Sequence, residues 1–158
     1  MNTIIVYATQ HGCTEQSAEK IKSGLDGNVK LVNLKKQHEV PIEDVDTVIV
    51  GGSIHAGNIQ GRVKKFCNKN LDKLLKKRIG LFICCMEEGD KAEEQFNNGF
   101  PKSLINHATA KSILGGAFNF EKMNAVERFI IKKIAKTDQN VNKVSDEKIK
   151  QFIHDIKK

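Results

Sequence analysis

Apolar positions along the chain follow two rhythms, which alternate from one end to the other. Thr3–Ala8, Thr47–Val50 and Ile79–Cys85 are continuous apolar runs of strand length, and Val29–Leu34 alternates apolar with polar positions. Between them the period lengthens. Thr14–Leu25 sets Ala18, Ile21 and Leu25 on one helical face, and Gly27 follows where a helix C-terminal glycine is expected. Arg62–Lys77 gathers Val63, Phe66, Cys67, Leu71, Leu74 and Leu75 into one stripe, with lysines opposite. Asp90–His107 is a weaker helical stretch, open to interruption at Gly99–Pro101, and Ser112–Phe118 is a fifth strand candidate. Helices over Asn124–Lys136 and from about Asp146 complete the pattern.

Strands that are apolar throughout and separated by helices indicate a parallel sheet covered on both faces. Five such units predict a doubly wound α/β fold, in which ligands sit beyond the carboxyl ends of the strands. The length of 158 residues suits one domain, expected to span residues 1–158. No low-complexity tract or internal repeat divides it.

The opening MNTIIVYATQHG lacks a basic flank and a small-residue cleavage site, so it reads as a first buried strand rather than a signal peptide. No stretch approaches the ~18 apolar residues of a spanning helix, and a cytoplasmic protein is expected. Cys13, Cys67, Cys84 and Cys85 form no C-x-x-C pair, so reduced thiols are expected and no metal site. The net charge of +7 fits solvated helix faces, or attraction to an acidic partner or an anionic membrane surface. Nucleic acid is not expected as a partner, because no RNP-like, finger or helix-turn-helix signature occurs.

The chemistry concentrates after the first strand, in Thr9-Gln10-His11-Gly12-Cys13-Thr14. Thr9 and Thr14 offer hydroxyls, Gly12 allows close backbone approach, and the following helix presents unpaired amides with partial positive charge. A plain helix cap by Thr9 or Thr14 explains the same residues. A dinucleotide G-x-G-x-x-G, a Walker G-K-[ST], paired receiver aspartates and the arginine of a cysteine phosphatase are all absent. Pattern and position favour FMN.

These residues resemble the flavodoxin phosphate loop [ST]-x-T-G-x-T, with His11 where threonine or asparagine is usual. Gly51-Gly52-Ser53-Ile54-His55-Ala56-Gly57, running on to Val63-Lys64-Lys65-Phe66, is similar to the third-strand loop of menaquinone-dependent protoporphyrinogen dehydrogenases, roughly G-A-S-I-R-Y-G. Gly115-Gly116-Ala117-Phe118, Met123-Asn124 and Glu127–Ile134 resemble that family's fifth strand and following helix. The resemblance spans residues 1–136.

It implies a flavodoxin-like three-layer sandwich whose five parallel strands run in the order 2-1-3-4-5. It also implies FMN, and transfer of electrons from a porphyrinogen, or another small redox substrate, to a quinone or a redox protein. By position, Thr9, Gln10, His11, Gly12, Cys13 and Thr14 would hold the phosphate. Ser53, Ile54, His55, Ala56 and Gly57 would line one face of the flavin ring, and Cys85, Met86, Glu87, Glu88 and Gly89 the other. The family's arginine and tyrosine are His55 and Ala56 here, so a stacking aromatic is missing. His55 becomes the candidate tuning residue.

Two other functions fit the pattern. One is a flavodoxin-type carrier shuttling electrons between proteins, against which the basic charge and missing aromatic shields count. The other is a non-catalytic flavin- or anion-binding module. The helix over Asn124–Lys136, with its apolar stripe and basic residues, reads as packed on the sheet, or as a surface docking on anionic lipid at the inner face of the membrane.

Overall fold

A computed structural model describes residues 1–118, 121, 123–135 and 140–158. The three long apolar runs form its central strands: β1 (Asn2–Tyr7), β3 (Thr47–His55) and β5 (Arg78–Cys84). The half-buried β2 (Asn28–Asn33) and β6 (Ala110–Ile113) lie at the edges. All five are parallel, in the order β2-β1-β3-β5-β6. Counting the principal strands alone, this is the expected 2-1-3-4-5.

The pleat divides the apolar side chains into two cores. Ile4, Val6, Val48, Val50, Leu81 and Ile83 face α2 (Gly61–Lys69), α3 (Leu71–Leu74), α4 (Gly89–Gly99) and α5 (Lys102–His107), which contribute Val63, Phe66, Leu74, Phe96 and Leu104. Ile5, Tyr7, Ile49 and Phe82 face Ala18 and Ile21 of α1 (Cys13–Gly24), and Ile149, Phe152 and Ile156 of α7 (Asp146–Lys157). Burial on both faces is why these strands read as unbroken apolar runs. Gly51 leaves room for a ring above it: a Cβ there would lie 2.1–2.5 Å from Phe82.

Four expected boundaries are revised. The helix over Arg62–Lys77 is two, because Asn70 ends α2 by turning its side-chain amide back onto the Phe66 carbonyl at 2.9 Å. The third strand continues past Val50 to His55 and pairs antiparallel with β4 (Asn58–Ile59). The strand over Ser112–Phe118 ends at Ile113, since Gly115 turns the backbone with φ +97°. Beyond it, β7 (Ala117–Phe118) leaves the main sheet and pairs with β8 (Val141–Asn142). The helix over Asn124–Lys136 is α6 (Ala125–Ala135), and Lys136 lies outside the described residues. The expected break at Gly99–Pro101 separates α4 from α5.

Candidate functional site

A cavity of about 390 Å³ opens beyond the carboxyl ends of β1, β3 and β5. This is within the roughly 300–1,000 Å³ range of small-molecule sites. Thr9, Gln10, His11 and Cys13 line it from the first loop, Ser53 through Gly57 from the third strand, and Cys85, Met86 and Glu87 from the end of the fourth principal strand. Three segments far apart in sequence thus converge on one volume.

Four expected residues stand outside the lining. Gly12 is the left-handed N-cap of α1, with φ +91°, and its N–H donates to Thr9 Oγ1 at 2.9 Å. Thr14 is fully buried in the first turn, behind the loop. Glu88 and Gly89 start α4 and border an adjoining hollow of about 240 Å³.

The third-strand residues are held by a hairpin rather than a loose loop. His55 pairs with Asn58 across a two-residue turn in which Ala56 and Gly57 have φ +50° and +80°. Positive φ at both central residues marks the turn that suits a hairpin's twist. Ser53 is fixed twice, its N–H donating to Gln60 Oε1 at 3.0 Å and its Oγ accepting from Gln60 Nε2 at 2.6 Å.

Glu127, Ile130 and Ile131 bring α6 to the cavity, joined by Met123, Gln95, Gly116, Ala117 and Cys84. Gly116, Ala117, Met123 and the α6 residues belong to the late segments that resemble the dehydrogenase family, Cys84 ends β5, and Gln95 belongs to no motif. Glu127 Oε2 lies 2.5 Å from His11 Nε2. The same contact places a carboxylate against the first loop. The His11 and His55 rings stand edge to face, with centroids 6.5 Å apart.

Thiol chemistry divides sharply here. Cys13 is held below the ordinary thiol range, chiefly by a hydrogen bond from Cys84. Cys84 is pushed well above it by the same partner and by burial, with Ser17 Oγ 3.5 Å away. Burial also raises the Cys85 thiol, whose Sγ approaches the Glu87 carbonyl at 3.6 Å.

A slightly larger hollow, about 430 Å³, lies beside Phe96, Ile105, Lys111, Lys148 and Asp155. It meets the edge strand β6 at Lys111–Ile113 but touches neither the first loop nor the ends of β1, β3 and β5, so the cavity beyond those three strands is the candidate site.

The chain matches the Flavodoxin domain sequence model over residues 4–145. It belongs to the flavodoxin domain family. It is 24% identical over 144 residues to the quinone-type protoporphyrinogen IX dehydrogenase of Escherichia coli K12, covering 86% of this chain and 80% of that one. The fold is similar to the short-chain flavodoxin of a non-canonical PDU bacterial microcompartment (14% identity, TM-score 0.60, 99% and 97% covered). It is also similar to oxidised flavodoxin 1 of Bacillus cereus (12% identity, TM-score 0.55, 99% and 95% covered). The rubredoxin oxygen:oxidoreductase of Desulfovibrio gigas aligns with 99% of this flavodoxin domain, at 17% identity and TM-score 0.61. The alignment spans about a third of that longer chain, 34%.

FMN is the cofactor of this family, and the residues present fit it. α1 starts without a side-chain cap, so its first-turn amides are available to a phosphate. His11 Nδ1 and Gln95 Oε1, on residues that line the cavity, are buried without hydrogen-bond partners. Such orphans cost roughly 1–3 kcal/mol each, which a polar ligand would recover. Ile54, Met86, Met123, Ile130 and Ile131 supply apolar walls for a ring system. Among the described residues no tryptophan, tyrosine or phenylalanine lines the cavity.

Proposed function

We propose that this flavodoxin domain is an FMN-dependent oxidoreductase of the protoporphyrinogen dehydrogenase kind, delivering electrons from a porphyrinogen to a quinone or another acceptor. The observation that carries this reading is the convergence of the first loop and the third-strand hairpin on one cavity. The hairpin has the sequence that resembles that family, and the first loop the sequence that resembles the flavodoxin phosphate loop. The 24% identity to a quinone-linked protoporphyrinogen IX dehydrogenase supports it over most of the chain.

Bound FMN supplies the redox chemistry, and the protein positions and tunes it. Thr9, Gln10, His11, Gly12, Cys13 and Thr14 hold the phosphate through hydroxyls and helix-terminal amides rather than lysine or arginine. A phosphate there competes with Glu127 for His11. Ser53, locked by Gln60, anchors the hairpin against one side of the ring, and Cys85, Met86 and Glu87 bound the other. The Glu87 carboxylate disfavours added negative charge on the ring. Ile130 and Ile131 exclude water from the side under α6.

The test is anaerobic. The FMN-loaded protein is mixed with protoporphyrinogen IX, and flavin absorbance and porphyrin fluorescence are followed together. Bleaching with porphyrin release, reversed by a menaquinone analogue, is the expected result. A flavin that binds yet stays oxidised assigns the protein to electron carriage between partners instead.

A further inference from the structure

Large exposed apolar side chains are few among the described residues, and three of the four belong to one helix. Val126 and Phe129 are each 67% exposed and Ile130 is 46% exposed, the fourth being Met1. At positions i, i+3 and i+4 the three share one face of α6. Glu127 and Ile131 turn the other way, into the cavity, and Ile130 reaches both. Lys132 and Lys133 are exposed beside the apolar trio, with Arg128 one turn earlier. No described helix is long and apolar enough to cross a membrane.

We propose that α6 is an interfacial docking helix whose Val126, Phe129 and Ile130 enter an anionic bilayer surface, held there by Lys132 and Lys133. Two observations favour lipid over a protein. A second copy would present the same cations on a chain of net charge +7, so that like charges would face each other. Three convex side chains also fall short of the roughly 800 Å² per partner of a stable protein interface. They do suit shallow insertion aided by anionic headgroups, the mode of amphipathic interfacial helices.

The same helix closes one side of the cavity, so docking would place the cavity edge at the apolar boundary of the membrane. An acceptor dissolved in lipid would then arrive beside Ile130 and Ile131. That consequence rests on the oxidoreductase reading above; the docking does not.

Sedimentation with vesicles tests it, using phosphatidylcholine alone and phosphatidylcholine mixed with phosphatidylglycerol. The protein is expected to partition at least about tenfold more strongly into the mixed vesicles, and less so as salt is raised. Val126→Asp, Phe129→Asp and the pair Lys132→Glu/Lys133→Glu should each lower that partition by about tenfold or more. FMN uptake, read separately by fluorescence, should survive Val126→Asp and Phe129→Asp, which reports that both variants fold. Vesicle binding without FMN uptake would sink the cofactor reading and leave the docking standing. Equal partition into both vesicle types, or partition that the variants leave unchanged, overturns the docking. So does a dimer in sedimentation equilibrium that Phe129→Asp dissolves, because the face would then belong to a second copy.

Discussion

Ala56 occupies a conformation that costs an ordinary residue about 1–2 kcal/mol, the left-handed region at φ +50°. Its side chain faces the cavity edge in a hairpin that otherwise uses Gly57 for the same purpose. Ala56→Gly should therefore raise stability by about 0.5–1 kcal/mol in urea unfolding, with no change in the slope. An unchanged or lowered midpoint would mean that the turn is not held as described.

Cys67 gives a pH dependence of definite sign. Burial pushes its thiol from the usual 9.0 up to about 12. The folded state therefore keeps the proton that the unfolded chain releases. The resulting stability is complete below pH 9 and is lost between 9 and 12, at up to about 1.4 kcal/mol per pH unit. Cys67→Ala should flatten the alkaline decline by that slope. A decline as steep as that of the wild type would contradict the burial.

Among the elements, α7 shows how a terminal helix is secured. Ser145 caps it, with its Oγ accepting from the Lys148 N–H at 3.2 Å, and Ile149, Phe152 and Ile156 reach the core. The Phe152 ring meets Phe82 edge to face at 5.9 Å. Phe152→Ala should cost about 3–5 kcal/mol by calorimetry or denaturant titration. A loss below about 1 kcal/mol would mean that the site collapses to fill the space.

The contrast with α6 explains what could be read from sequence. β1, β3 and β5 are buried on both faces, so Thr3–Ala8, Thr47–Val50 and Ile79–Cys85 announced themselves as apolar runs. The amphipathic pattern of α6 suits a sheet face, a lipid face or a cavity wall equally, because periodicity records that one side is apolar and not what covers it. The β7–β8 ribbon pairs only two residues per strand, too few for any period to register.

At the scale of the whole molecule, the doubly wound topology brings the ends of β1, β3 and β5 together, and that is where the cavity lies. Thr9, Gln10, His11, Cys13 and Ser53–Gly57 were legible as cavity residues because each group lies at or beyond the carboxyl end of an apolar strand and carries its own local pattern. Gln95 was not, since it reaches the cavity from α4 with no motif around it, and Met123 and Glu127, though in segments that resemble the dehydrogenase family, carried no sign that they turn into the cavity. The His11–Glu127 contact could not be read either: each residue sits in its own segment, and only the tertiary fold makes them neighbours.

The central claim is that the first loop is a phosphate seat beside an apolar ring site, and the most direct measurement is a paired titration. The apoprotein is titrated into FMN and, separately, into riboflavin, which lacks the phosphate, with flavin fluorescence as the readout. The account predicts one-to-one uptake of FMN at micromolar concentration and at least about tenfold weaker binding of riboflavin, since a helix N-terminus favours an anion. No uptake of FMN, or equal affinity for both, would contradict it.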